Sequence, residues 1–210
     1  MSLALVFKTP EGIVLCTDSR LTVAQPKAGG MPDLCFLDSA TKLWALGPPN
    51  PGVAVAFYGT AATGIRSVGS LIKEWAAGQG QRKPVEQIAR ELHAWLSPRG
   101  LRNAVLWVAG FDETNPFGRI FELPVPGEVR ELHASGSIGY TLGGQKLLAE
   151  RVLETLKPSL DLMPLKGTGE LAAWLIELTT TGQGYTQGLQ SVGGSPQIAL
   201  LEQGKGVRLV

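Results

Sequence analysis

The order of apolar runs along this 210-residue chain predicts an α+β architecture: two antiparallel sheets stacked face to face, with a helix pair on each outer side. Three observations carry the prediction. Paired short strands separate two pairs of helical stretches, so the strict βαβα alternation of a parallel sheet is absent. Several strand runs, VAVAFY and VLWVAGF among them, are apolar at every position, as strands covered on both faces must be. Neither glycine nor proline gathers into a linker and no repeat is evident, so residues 1–210 read as one domain.

The elements follow in order. Residues 3–8 (LALVFK) and 12–17 (GIVLCT) are short apolar runs joined by Thr9-Pro10-Glu11, a hairpin signal with a three-residue connection. Residues 18–41 read as an irregular excursion containing Pro26, Gly29, Gly30 and Pro32. Strands resume at 42–46 and 52–58 around the GPPNPG turn. Ile65, Val68, Ile72 and Trp75 then recur at helical spacing, predicting a helix over 61–77. A second helix starts at Pro84, a residue suited to a first turn, with Val85, Ile88, Leu92 and Trp95 on one face. Strands return at 103–111, 118–125 and near 129–135, with DETNPFG (112–118) as a hairpin turn. Segments 139–156 and 169–181 have helical periodicity, and strands at 197–202 and 206–210 close the chain.

Composition narrows the function. Nineteen basic against 18 acidic residues leave a net charge of +1, which offers no field for nucleic acid or an anionic membrane. No apolar run reaches the length of a bilayer span. MSLALVFKTPEG lacks a basic region before its apolar run, so a cytoplasmic location is expected in place of secretion. Cys16 and Cys35 form no CxxC and read as reduced thiols. His93 on a helix and His133 on a strand are widely separated, so no metal or other cofactor is expected.

The chemistry begins where GIVLCT runs into Asp18-Ser19-Arg20. If Lys8 pairs with Gly12, partners across the first hairpin have numbers summing to twenty. Leu3, Leu5, Phe7, Ile13 and Leu15 then share one face, while Ala4, Val6, Val14 and Cys16 share the other. Asp18 falls opposite Ser2, with Cβ atoms roughly 5 Å apart. Ser2 becomes the terminal residue if Met1 is removed, and its small side chain permits that removal. A free α-amine, a hydroxyl and a carboxylate would then meet, which is the outfit of an N-terminal nucleophile: the amine takes the hydroxyl proton, as a histidine does elsewhere. The bland alternatives are a trivial terminus for Ser2, a turn cap for Asp18 and a solvated strand-start lysine for Lys42.

The DSR hairpin end, then TKLWALG, VAFYGTAATG and QSVGGSPQIALLE, in that order, resemble the proteasome β-type N-terminal-nucleophile hydrolases, most of all the bacterial ancestral-β-subunit group, Anbu. The resemblance implies their αββα fold and, residue by residue, a site. Ser2 falls at the nucleophile, Asp18 at the carboxylate ending the second strand, and Lys42 at the lysine that contacts both. Gly59 falls at the glycine whose N–H forms the oxyanion hole. Ser137, in ASGSIG, and Ser191, in QSVGG, fall near serines that support the α-amine, and Arg20 either pairs with Asp18 or lines the site. The family acts without metal on peptide or protein substrates and assembles into homo-oligomeric rings or spirals. Two departures stand out: GYTQGLQSVGG holds no carboxylate, and the stretch from Asp18 to Lys42 is longer than usual. The longer stretch would reshape the pocket wall, while the missing carboxylate, and Met1 if it is retained, favour a rival of the same fold, a catalytically silent scaffold or binding subunit. A small-molecule amidohydrolase is the second rival.

Overall fold

The computed structural model describes residues 2–25, 33–113, 115–134, 136–185 and 190–210; the side chains of 24, 25 and 33 are also left undescribed. The expected features at Met1, in 26–32, at Thr114 and Ser135, and in 186–189 lie outside that set. Strands β1 (Leu3–Lys8) and β2 (Ile13–Thr17) are buried at every residue, as their unbroken apolar runs require. They lie inside a five-stranded sheet together with β12 (Gly139–Gly144), β13 (Gln197–Glu202) and β14 (Gly206–Leu209), in the order β12-β1-β2-β13-β14. The second five-stranded sheet comprises β5 (Leu43–Ala45), β6 (Val53–Gly59), β9 (Ala104–Gly110), β10 (Arg119–Val125) and β11 (Arg130–Leu132), ordered β11-β10-β9-β6-β5. The pairings within both sheets are antiparallel.

Helices α1 (Val68–Ala77) and α2 (Val85–Leu96) pack on the second sheet through Leu71, Ile72, Ile88 and Leu92. Helices α3 (Leu147–Leu156) and α4 (Leu165–Gln183) cover the first through Leu153, Ala172, Leu175 and Ile176. Between the sheets, alanines 4, 54, 56, 109 and 199 make room for the buried indole of Trp107. The result is the predicted four-layer αββα sandwich.

Four local expectations change. The first hairpin closes at Thr9 and Gly12, whose backbones exchange hydrogen bonds of 2.9 and 3.3 Å around a Pro10-Glu11 loop. Partners therefore sum to 21, with Leu5 opposite Cys16 and Val6 opposite Leu15. Each face mixes bulky and small residues: Leu3, Leu5, Phe7, Val14 and Cys16 face the helices, while Ala4, Val6, Ile13 and Leu15 face the other sheet. Both faces are buried, so hydrophobicity does not choose between the registers and the turn decides.

The supposed irregular excursion contains a two-stranded sheet, β3 (Leu21–Gln25) with β4 (Asp33–Leu37). Helix α1 begins at Val68, not at 61, because Ser67 caps it by accepting the Ser70 N–H at 3.1 Å. Ahead of it a small hairpin, β7 (Ala62–Thr63) with β8 (Arg66–Ser67), leaves Ile65 fully exposed. Finally, 139–144 is strand β12 paired with β1, not the first turns of a helix; Gly143 and Gly144 disfavour helix, and α3 begins only at Leu147. Among the described residues no helix is long and apolar enough to cross a membrane.

Candidate active site

Alternation along β1 places Ser2 on the same face as Ala4 and Val6, the face toward the second sheet. Its carbonyl accepts the Gln145 N–H at 2.8 Å, and the following amide, Leu3 N–H, donates to Asp18 Oδ1 at 3.1 Å. The peptide after Ser2 is thus held from both sides. With the register at 21, Asp18 lies opposite Leu3 instead of Ser2 as expected, yet its carboxylate still grips the Ser2–Leu3 amide.

Asp18 has no solvent-accessible surface, and neither has Lys42. Lys42 Nζ donates to Asp18 Oδ1 at 2.8 Å. Oδ2 accepts the backbone N–H groups of Gly193 (3.2 Å) and Arg20 (3.3 Å). Burial pushes the Asp18 carboxyl above its ordinary range, opposed by the charge and hydrogen bond of Lys42. Burial likewise pushes the Lys42 ammonium down, opposed by Asp18. The 2.8 Å contact and the N–H donors favour the ionised couple, and desolvation opposes it.

Arg20 does not pair with Asp18 through its guanidinium. Its Nε and Nη2 take Asp38 Oδ1 and Oδ2 at 2.6 and 2.7 Å, and Nη1 donates to the carbonyls of Gln190 (3.0 Å) and Val192 (3.4 Å). The hydrogen bonds from Arg20 hold the Asp38 carboxyl below its usual range. This clamp fastens the loop that carries Ser191 and the Gly193 N–H to the end of β2. Ser191 is fully buried, and its hydroxyl has no hydrogen-bond partner among the described residues. A cavity of about 570 Å³ opens beside Ser2, lined also by Arg20, Leu21, Gly59, Ala61 and Asn103. Ser2, Asp18, Lys42, Gly59, Arg20 and Ser191 thus belong to one region.

Ser137 does not. Gly139 pairs with Lys8 and Gly144 with Leu3, so Ser137 sits beyond the far end of β1, about 20 Å from Ser2 by the rise of an extended strand. It is exposed, and its hydroxyl donates to Ala134 O at 2.7 Å. The expectation for Ser137 rested on the resemblance of ASGSIG alone; the strand at 139–144 carries Gly144 and Gln145 to Ser2 and leaves Ser137 behind. Asp38 went unrecognised because nothing in an isolated Asp signals a partner eighteen residues earlier. The two histidines are tied up locally: His93 Nε2 contacts Pro124 O at 3.1 Å, and His133 Nε2 contacts Thr141 Oγ1 at 2.9 Å.

Two antiparallel sheets between helix pairs give the αββα layering of the N-terminal-nucleophile hydrolase fold. Among solved structures the chain is similar to an Anbu (Gly-1) mutant from Hyphomicrobium sp. strain MC1, with a TM-score of 0.72 at 16% identity over 100% of this chain and 86% of that one. The likeness is one of fold, and the proteasome β-type arrangement expected from the sequence is the one present. No family model matches the chain, and no curated protein matches it in sequence.

Proposed function

We propose that this chain is a proteasome-like peptidase or amidase whose nucleophile is Ser2 once Met1 has been removed. The observation that carries the reading is the wholly buried Lys42–Asp18 couple, anchored on the amide that follows Ser2, the residue that itself lines a cavity together with Gly59. The freed α-amine accepts the Ser2 hydroxyl proton as Oγ attacks the substrate carbonyl. Lys42, positively charged nearby, favours the neutral amine that can take the proton. The Gly59 N–H meets the developing oxyanion, a donor typically worth about 3 kcal/mol of barrier. The protonated amine then delivers its proton to the leaving amine, and the acyl ester on Ser2 remains. Water, activated by the same amine, hydrolyses the ester and restores the hydroxyl. The buried Ser191 hydroxyl, without a hydrogen-bond partner among the described residues, offers one to the amine. By the same family resemblance, the working form is a cytoplasmic homo-oligomeric ring or spiral acting on peptides or proteins.

The experiment combines intact mass, labelling and turnover. The mature protein is expected to lack Met1, to be modified at residue 2 by a peptide epoxyketone or β-lactone, and to hydrolyse fluorogenic peptides. Ser2→Ala is expected to cut turnover by on the order of 10³-fold or more. Retained Met1 with no labelling would identify the silent subunit instead. Labelled Ser2 without peptide turnover would point to a small-molecule amide substrate.

A further inference from the structure

Lys42 immediately precedes β5, the edge strand of the second sheet. On the β6 side the backbone is secured, since the Phe57 N–H donates to Lys42 O at 3.0 Å. On the opposite side a side chain takes the role of a strand. Gln197, the first residue of β13 in the other sheet, accepts the Lys42 N–H on Oε1 at 2.8 Å. Its Nε2 donates to Ala40 O at 2.7 Å. The two bonds straddle exposed Thr41, so one carboxamide satisfies segment 40–42 as a neighbouring peptide group would. Gln197 is itself the register partner of Thr17, the residue before Asp18. One strand pair therefore carries both the acid and the group that locates the backbone of its lysine. That matters because a lysine is a point charge on a flexible four-carbon stem, and only a fixed Cα delivers its ammonium to a single place.

We propose that Gln197 is a positioning residue for the Lys42–Asp18 couple: its carboxamide bridges the two sheets and fixes the Lys42 backbone so that the ammonium meets Asp18. The inference rests on reading Lys42 as part of the hydrolytic site, but placement can be measured without turnover. The charged groups that act on Lys42 are Asp18, Arg20 and Asp38, and none of them is altered by changing Gln197.

The test compares the wild-type chain with Gln197→Leu, which loses both bonds, and Gln197→Glu, which keeps the acceptor for Lys42 N–H and loses the donor to Ala40. Nitrogen NMR of the Lys42 ammonium and hydrogen exchange of its amide form one arm. Gln197→Leu is expected to shift and broaden the ammonium resonance and to lower amide protection about tenfold or more, with Gln197→Glu intermediate. In the other arm, kcat is expected to fall about tenfold or more with KM nearly unchanged. The rising limb of the pH–rate profile should also move to higher pH, because a displaced ammonium no longer favours the neutral amine. A folded Gln197→Leu with the wild-type ammonium resonance, titration and pH limb would overturn the proposal. If that variant fails to fold, Gln197→Glu decides by amide protection alone, because its added carboxylate itself acts on the ammonium resonance and the pH limb, and wild-type protection in it would overturn the proposal. A wild-type protein that hydrolyses nothing, with the resonance arm as expected, would remove the hydrolase reading and leave the positioning role standing.

Discussion

Asp18 and Glu122 are both buried carboxylates in apolar sheets, and both are paired with a cation. Glu122, 4% exposed on β10, accepts from Tyr58 Oη at 3.3 Å and from Trp107 Nε1 at 3.2 Å, and pairs with Arg130. The Arg130 side chain is 69% exposed, so its charge stays hydrated. The cation of Asp18 is Lys42, with no exposure at all. Around Glu122 only one charge has left water, and the low-dielectric surroundings, together with that charge, push the Tyr58 phenol out of reach of ionisation. Around Asp18 two charges have left water together, which is costly unless geometry and hydrogen bonds over-determine the pair. Three backbone N–H groups on Asp18 provide that determination. The first arrangement leaves its cation in water, and the second holds both charges by the protein's own hydrogen bonds.

The sharpest break of this contrast is to remove each cation. Lys42→Met strands a fully buried carboxylate and is expected to cost about 3–5 kcal/mol in denaturant unfolding at neutral pH, with hydrolysis abolished. Arg130→Met removes a hydrated partner and is expected to cost no more than about 1 kcal/mol. Equal losses would show that burial of the cation is not what separates the two sites. Acidity adds a signature. The Asp18 carboxyl already lies above its ordinary 3.8 in the folded chain and would lie higher without Lys42. A group with a raised folded pKa contributes stability that is present below the unfolded value and is lost as pH rises through the folded one. The Lys42→Met deficit should therefore shrink as pH falls toward 4, and a deficit independent of pH would contradict the assignment.

The two ends of β1 allow a second contrast. Gly144, beside Ser2, and Gly136, near Ser137, share a left-handed backbone with φ of +81° and +83°. A Cβ on Gly144 would stand 1.8 Å from Ser2 O, whereas one on Gly136 meets nothing within 4 Å among the described residues. Gly136→Ala should cost only the conformational penalty, about 1 kcal/mol, with turnover intact. Gly144→Ala must displace the Ser2 carbonyl from its Gln145 bond, and hydrolysis should drop by about 10²-fold. Wild-type turnover in Gly144→Ala would mean that Ser2 need not sit where β12 holds it.

The layers were legible in the sequence because they rest on apolar periodicity, which survives local mistakes. The Lys42–Asp18 pairing was legible only through the family resemblance, because a lysine that opens a strand, as in TKLW, reads by itself as a solvated one. Register was not legible. With both faces of the hairpin buried, Leu5 is as content opposite Cys16 as opposite Leu15, and only the Pro10-Glu11 turn distinguishes them. Ser137 misled because a short Ser-Gly motif matched by resemblance says nothing of which end of β1 it lies at, and the β12 register puts it at the end away from Ser2. The Gln197 bridge and the Arg20–Asp38 clamp join residues 155 and 18 positions apart through side-chain bonds, which no period encodes.

That clamp supplies the smallest effect and the opposite sign. The Asp38 side chain is 46% exposed, so water screens its pair with Arg20, and Asp38→Asn should cost less than about 1 kcal/mol. Its carboxyl is held below 3.8 by the hydrogen bonds from Arg20. A lowered folded pKa means stability that is present above the unfolded value and is lost as pH falls through the folded one. Acidification below pH 4 should therefore weaken the clamp in the wild-type chain and leave Asp38→Asn unaffected, whereas the same acidification relieves Lys42→Met. Unfolding curves collected from pH 3 to pH 7 on the three proteins test both signs at once. If both acids responded in the same direction, the distinction between a hydrated and a buried partner would fail.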